Sequence, residues 1–223
     1  MRVKETMMNN RKFYVVMLLL GCIFYSGACS TTYYTVWEQL GKEKRHLLKD
    51  NVESARDEQA QASEQFKDAL TQIKELYGFH GGDLEDFYNR LKDSYEDCET
   101  RAEAVEKRIA KVEQIAQDLF IEWENEINEM TNKNFKAKSR ASLTDTKRRY
   151  ARLNAAMTKA QQSMQPVLTN LRDYVLFLKH NLNAQAIGAL RAEVRDIEMD
   201  VHTLIADMNK SIREADEFLR ALQ

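Results

Sequence analysis

Three cysteines and four histidines have the greatest chemical reach in this chain, and only one of them stands in a context that names its chemistry. Cys29 follows Ser26-Gly27-Ala28 and precedes Ser30-Thr31-Thr32. Lipidation of a cysteine thiol, with removal of the signal ahead of it, needs a small residue just before the cysteine and an apolar one further back. Cys22, after Leu19-Leu20-Gly21, is the alternative acceptor, with a better apolar residue three places back. Choosing it would leave Ile23, Phe24 and Tyr25 exposed at the new N-terminus, so Cys29 is preferred. Plain secretion, with Cys29 as an ordinary thiol, is the third reading.

The remaining candidates are isolated. His46, His80, His180 and His202 are scattered singly, whereas a metal site needs several ligands brought together. Helical bundles can hold two metal ions with two Glu-x-x-His pairs and two further glutamates. Glu43-Lys44-Arg45-His46 supplies one such pair and no second copy exists, so the match is read as chance. Cys98 falls at a core position, where a buried thiol acts as a small apolar group. There is no glycine-rich phosphate loop, no nucleophile elbow and no HExxH helix. The expectation is therefore no enzyme, no cofactor and no metal.

The segment before Cys29 has the order of an export signal: Arg2, Lys4, Arg11 and Lys12, then an apolar run from Phe13, then small residues. Phe13 to Ala28 is 16 residues, short of the roughly 20 a spanning helix requires. Residues 1–28 are thus read as a lipoprotein-type signal peptide and 29–223 as one domain. The domain carries 29 Lys and Arg against 34 Asp and Glu, a net charge of −5 that argues against nucleic acid as a partner. Neither cysteine is followed by Asp, the usual inner-membrane retention signal of enteric lipoproteins, so the outer membrane is favoured. The expected location is the bacterial cell envelope, lipid-anchored and facing the periplasm.

The domain must position everything with helices, because one proline (Pro166) and five glycines offer few places to turn. Apolar and small residues recur in steps of three and four from Leu48 to Leu76, from Leu84 to Met130, from Leu143 to Leu178 and from Ile187 to Leu219. Such heptad seams predict an all-α, elongated, antiparallel up-down bundle with coiled-coil packing, preceded by a signal helix. The helices are placed at about 31–77, 84–131, 141–180 and 184–222, and Pro166 should kink the third. Asp83 and Asn183 suit N-caps. The break at 181–183 lacks glycine, and a continuous helix there would convert the bundle into three helices and a tail.

Anchoring such a bundle at Cys29 assigns roles to its ends. Tyr33, Tyr34 and Trp37 would lie at the membrane, either in the headgroup layer or capping the bundle. Lys133, Lys136, Lys138 and Arg140, around Phe135, fill the second turn and would return to the same surface to meet anionic headgroups. An ordinary solvated loop is the plainer account. The far tip, Tyr77 to Asp83 with His180 to Gly188, is where a protein partner of unknown identity would bind. Self-association into a longer coiled coil and a ligand-dependent bundle enzyme are the alternatives.

Cys29-Ser30-Thr31-Thr32-Tyr33-Tyr34-Thr35-Val36-Trp37-Glu38 resembles the start of a bacterial family of secreted or lipid-anchored coiled-coil proteins of unknown function. Glu64-Gln65-Phe66 and Leu178 to Gly188 are similar to it as well. The resemblance implies Cys29 as the lipidated residue and no catalytic residue. Its relatives sometimes carry a DNA-repair ATPase label, from which this chain departs by lacking a nucleotide loop and by carrying an export signal.

Overall fold

The computed structural model describes residues 44–78 and 84–222. Among these the chain forms four α-helices: α1 (Lys44–Gly78), α2 (Leu84–Glu129), α3 (Lys133–His180) and α4 (Ala184–Ala221). The chain divides into two compact units, Met1–His46 and Leu47–Gln223, and the description below concerns the second. The signal segment, Cys22, Cys29, Tyr33, Tyr34, Trp37 and residues 79–83, Asp83 among them, lie outside the described residues, as do residues 31–43 of the expected first helix.

Local chemistry accounts for where the helices begin and end. Glu85 and Asp86 occupy the first turn of α2, where carboxylates oppose the positive end of the helix dipole. Asn183 stays extended (φ −147°, ψ 165°) and its side chain accepts from the backbone N–H of Ala186 at 3.0 Å, the N-cap expected of it. The chain therefore turns at 181–183, and α3 and α4 are separate helices. Asn181 closes α3 by donating its backbone N–H to the Leu178 carbonyl and its side-chain amide to the Phe177 carbonyl.

One boundary is corrected. The third helix starts at Lys133, eight residues before the expected 141. Asn132 (φ −74°, ψ 110°) accepts from the backbone N–H groups of Asn134 and Phe135, which nucleates the helix at once. The basic residues Lys133, Lys136, Lys138 and Arg140 are consequently helical, and the connection shrinks to Met130–Asn132. Helix α3 also continues through Pro166.

The seam of α1 packs as the heptad spacing requires, whereas near the start of α2 Phe87 and Ser94 turn inward and the expected Tyr88 and Tyr95 are half-buried. Every seam position of α1 from Leu48 to Leu76 is buried, Gln59 included. Phe66, Ile73, Leu91, Ile115, Leu153 and Met157 are among the largest fully buried side chains. Each such residue contributes about 1.5–3 kcal/mol by leaving water. Contacts between helices fix the topology. Glu75 meets Arg90 and Glu58 meets Arg101, so as numbering rises on α1 it falls on α2. The same inverse order joins α3 to α4, through Arg152–Glu214 and Lys159–Asp207, and α1 to α4, through Arg56–Asp216 and Lys74–Glu198. Lys147–Glu124 and the edge-on Phe120–Tyr150 contact join α2 to α3. The four helices thus form a closed ring of antiparallel neighbours around one core.

Candidate functional sites at the ends of the bundle

The α2–α3 end carries the basic cluster, and the structure gives several of its members internal partners. Lys136 Nζ donates to the Asn128 carbonyl at 3.0 Å, satisfying one of the orphan carbonyls at the end of α2. Arg140 reaches Asn128 Oδ1 at 3.5 Å. Lys147 pairs with Glu124 at 3.1 Å, and Arg149 and Arg148 both hold Asp145. Hydrogen bonding, first from Arg149 and then from Arg148, holds the Asp145 carboxyl below its usual range. Glu122, Glu124, Glu126 and Glu129 lie on the last turns of α2, and Lys133, Lys136, Lys138 and Arg140 on the first turns of α3. From Glu122 to Arg152 the hairpin carries five Asp or Glu against eight Lys or Arg, so it stays basic after its internal pairing. Phe135, 63 % exposed, stands out from it, and Trp123 Nε1 donates to Ser139 Oγ across the two helices.

The opposite end is apolar where it should be wet. Tyr77, Leu176, Phe177 and Leu182 are 50, 46, 38 and 43 % exposed, at the end of α1, on the last turns of α3 and in the α3–α4 connection. Arg191 Nε donates to the Leu76 carbonyl at 2.6 Å, which ties the start of α4 to the end of α1 and brings these residues to one end. His180 and Gly188 are exposed there too, and a Cβ on Gly188 would meet nothing within 4 Å. The Tyr77 and His180 to Gly188 parts of the expected tip are thus together; residues 79–83 lie outside the described residues.

Cys98 is fully buried, and its thiol donates to the Gln65 carbonyl at 3.7 Å. Burial, with lesser help from Asp97 and Asp68, pushes it up to about 12, so it is a neutral thiol at physiological pH. His46, His180 and His202 are exposed and distributed along the chain, His202 lying 3.9 Å from Glu198; His80 and Glu43 are outside the described residues. Among the described residues no three His, Cys, Asp or Glu side chains lie together as metal ligands, and no helix is long and apolar enough to cross a membrane. Two shallow grooves of about 230–240 Å³ run between helices: Tyr95, Glu99 and Arg172 line the one between α2 and α3, and Arg152, Lys159 and Asp207 the one between α3 and α4. Both are smaller than ordinary small-molecule pockets.

A feature that seam reading missed lies in the core. Within the fourth seam the polar Ser211 turns inward and the apolar Ile212 beside it is left half-buried. Ser211 Oγ donates to Gln59 Oε1 at 2.7 Å between α4 and α1, both residues being essentially inaccessible. The polar residue Gln59 on an otherwise apolar seam was the available signal: a buried amide demands a partner on a facing helix.

A family model described as a protein of unknown function, DUF2959, matches residues 33–222. No curated protein matches the chain.

Proposed function

We propose, for a chain that belongs to the DUF2959 family of proteins of unknown function, a scaffold or adaptor role without chemistry of its own, lipid-anchored at Cys29 and facing the periplasm of a bacterial envelope, with the outer membrane favoured. The observation that carries the reading is the group of large apolar side chains, Tyr77, Leu176, Phe177 and Leu182, left in water at one end of a bundle whose seams are otherwise internally satisfied. A helical bundle gains nothing for its own fold from such exposure, and a protein partner that covers these residues would. The basic α3 start, with Lys133 and Lys138 exposed beside Phe135, supports an auxiliary surface contact.

The test places a photo-crosslinking residue at Phe177 or Leu182 in the full chain in intact cells, with Glu113 on the outer face of α2 as the comparison. One protein adduct from Phe177 and Leu182, absent from Glu113, is expected. The same adducts from all three positions, or none, would refute an end-binding adaptor. Cys29→Ser should release the protein from the membrane fraction while Cys22→Ser should not; the reverse would move the anchor to Cys22.

A further inference from the structure

The α2–α3 hairpin runs on past the end of α4. Arg152 of α3 meets Glu214 of α4 and the two helices are antiparallel, so seven residues back along α3 and seven on along α4 set Asp145 level with Ala221, where α4 ends. Helix α3 begins twelve residues before Asp145, at Lys133, and its first turns therefore project about 18 Å beyond α4. Bonds between the two helices hold this projection in shape. Trp123 Nε1 donates to Ser139 Oγ at 2.9 Å, Lys136 Nζ donates to the Asn128 carbonyl at 3.0 Å, and Asn132 caps α3.

The projection is charged oppositely to the rest of the domain. The hairpin from Glu122 to Arg152 has a net charge of +3, and since the domain totals −5, everything outside the hairpin totals −8. No acid lies between Met130 and Thr144, the stretch that holds Lys133, Lys136, Lys138 and Arg140. Lys133 and Lys138 are exposed and have no ion-pair partner among the described residues, and Phe135, 63 % exposed, stands between them. The nearest acids along the chain are Glu129 and Glu126, both exposed at the end of α2. Glu214, Asp216 and Glu217, on the last turns of α4, lie about 20 Å or more from Phe135 along the bundle, over two Debye lengths at physiological salt.

This separation of charge selects the kind of partner. A polyanion lying along the bundle would meet the acids of the other helices, whereas a negative plane that touches only the hairpin end is screened from them. An exposed ring among lysines then suits a lipid surface: the ring enters the headgroup layer and the ammonium groups stay with the phosphates. We infer that the hairpin end docks end-on upon an anionic phospholipid surface, with Lys133 and Lys138 on the headgroups and Phe135 between them. This rests on the reading of the chain as one held at a membrane, and names the surface that the basic α3 start contacts.

Flotation with vesicles of phosphatidylglycerol and phosphatidylcholine tests it, using the full chain with Cys22→Ser and Cys29→Ser so that no lipid is attached. Whatever the N-terminal segment adds is then common to every variant. Each cation near such a surface is worth about fivefold in affinity, so Lys133→Gln with Lys138→Gln should weaken binding at least about tenfold, while Lys133→Arg with Lys138→Arg should preserve it. Phe135→Ala should weaken it at least about threefold, and Glu126→Gln with Glu129→Gln should strengthen it. Lys107→Gln with Lys179→Gln, both exposed elsewhere, should change nothing. Unchanged binding of the Lys133→Gln, Lys138→Gln chain, an equal loss from the Lys107→Gln, Lys179→Gln chain, or an equal loss from the arginine pair would overturn the inference. Because the probe chain carries no lipid, these results are independent of the fractionation that tests the Cys29 anchor, and the two readings fail separately.

Discussion

Replacing Ser211 by alanine removes one hydroxyl and strands another group. Gln59 Oε1 loses its donor at a site that is 1 % exposed, and Gln59 Nε2 already has no partner among the described residues. Leaving a buried amide oxygen unpaired costs about 1–3 kcal/mol, whereas deleting both polar partners together is close to neutral. In a bundle of this size each kcal/mol moves the melting midpoint by about 2–4 °C, so Ser211→Ala should lower it by roughly 2–12 °C. Gln59→Leu should cost less, because the stranded Ser211 hydroxyl can turn to the carbonyl four residues back in its own helix. The double variant should be at least as stable as Ser211→Ala and near the parent. Urea unfolding followed by circular dichroism at fixed protein concentration measures all four corners of the cycle. A Ser211→Ala variant as stable as the parent, or a double variant less stable than either single, would refute the assignment of Gln59 and Ser211 as one buried polar unit.

Other outcomes follow from the same structure. Cys98 should resist thiol reagents in the folded chain and react on unfolding; its burial also makes stability fall as pH rises from about 9 toward about 12, since the unfolded thiol ionises first, and Cys98→Ala should flatten that decline. Labelling of Cys98 in the native state at neutral pH, at the rate seen in urea, would contradict its burial. Asn183→Ala removes the α4 cap and should cost about 1 kcal/mol by chemical denaturation, without changing helix content by more than a turn. Phe66→Ala should cost about 3–5 kcal/mol, whereas Met199→Ala, more than half exposed, should stay within about 0.5 kcal/mol; equal losses would mean that the assigned core is wrong.

Much of this architecture is legible in the chain because a helix repeats its environment every three or four residues. Leu48, Val52, Ala55 and Gln59 sit in a row before any fold is known, and all four are buried. Asn183 announces its helix because an N-cap bond is local, spanning three residues. Asn132 carried the same signal, but the lysines that follow read as a loop, since charge alone does not distinguish a solvated helix turn from a connection. For the candidate sites, the basic cluster was visible as residues and not as electrostatics: that Lys136 caps α2 and that Lys147 pairs with Glu124 depend on which helix end lies across from it.

The sequence by itself determined the helical class, the number of seams and the apolar side of each helix, because these rest on spacing along one chain. Only the tertiary structure decided that Ser211 rather than Ile212 turns inward to Gln59, that Arg191 ties α4 to the end of α1, and that Tyr77, Leu176, Phe177 and Leu182 share one end. Those facts join residues that are more than a hundred positions apart or lie on different helices, and the rotation and register that bring them together are set by packing against neighbours that no local pattern records.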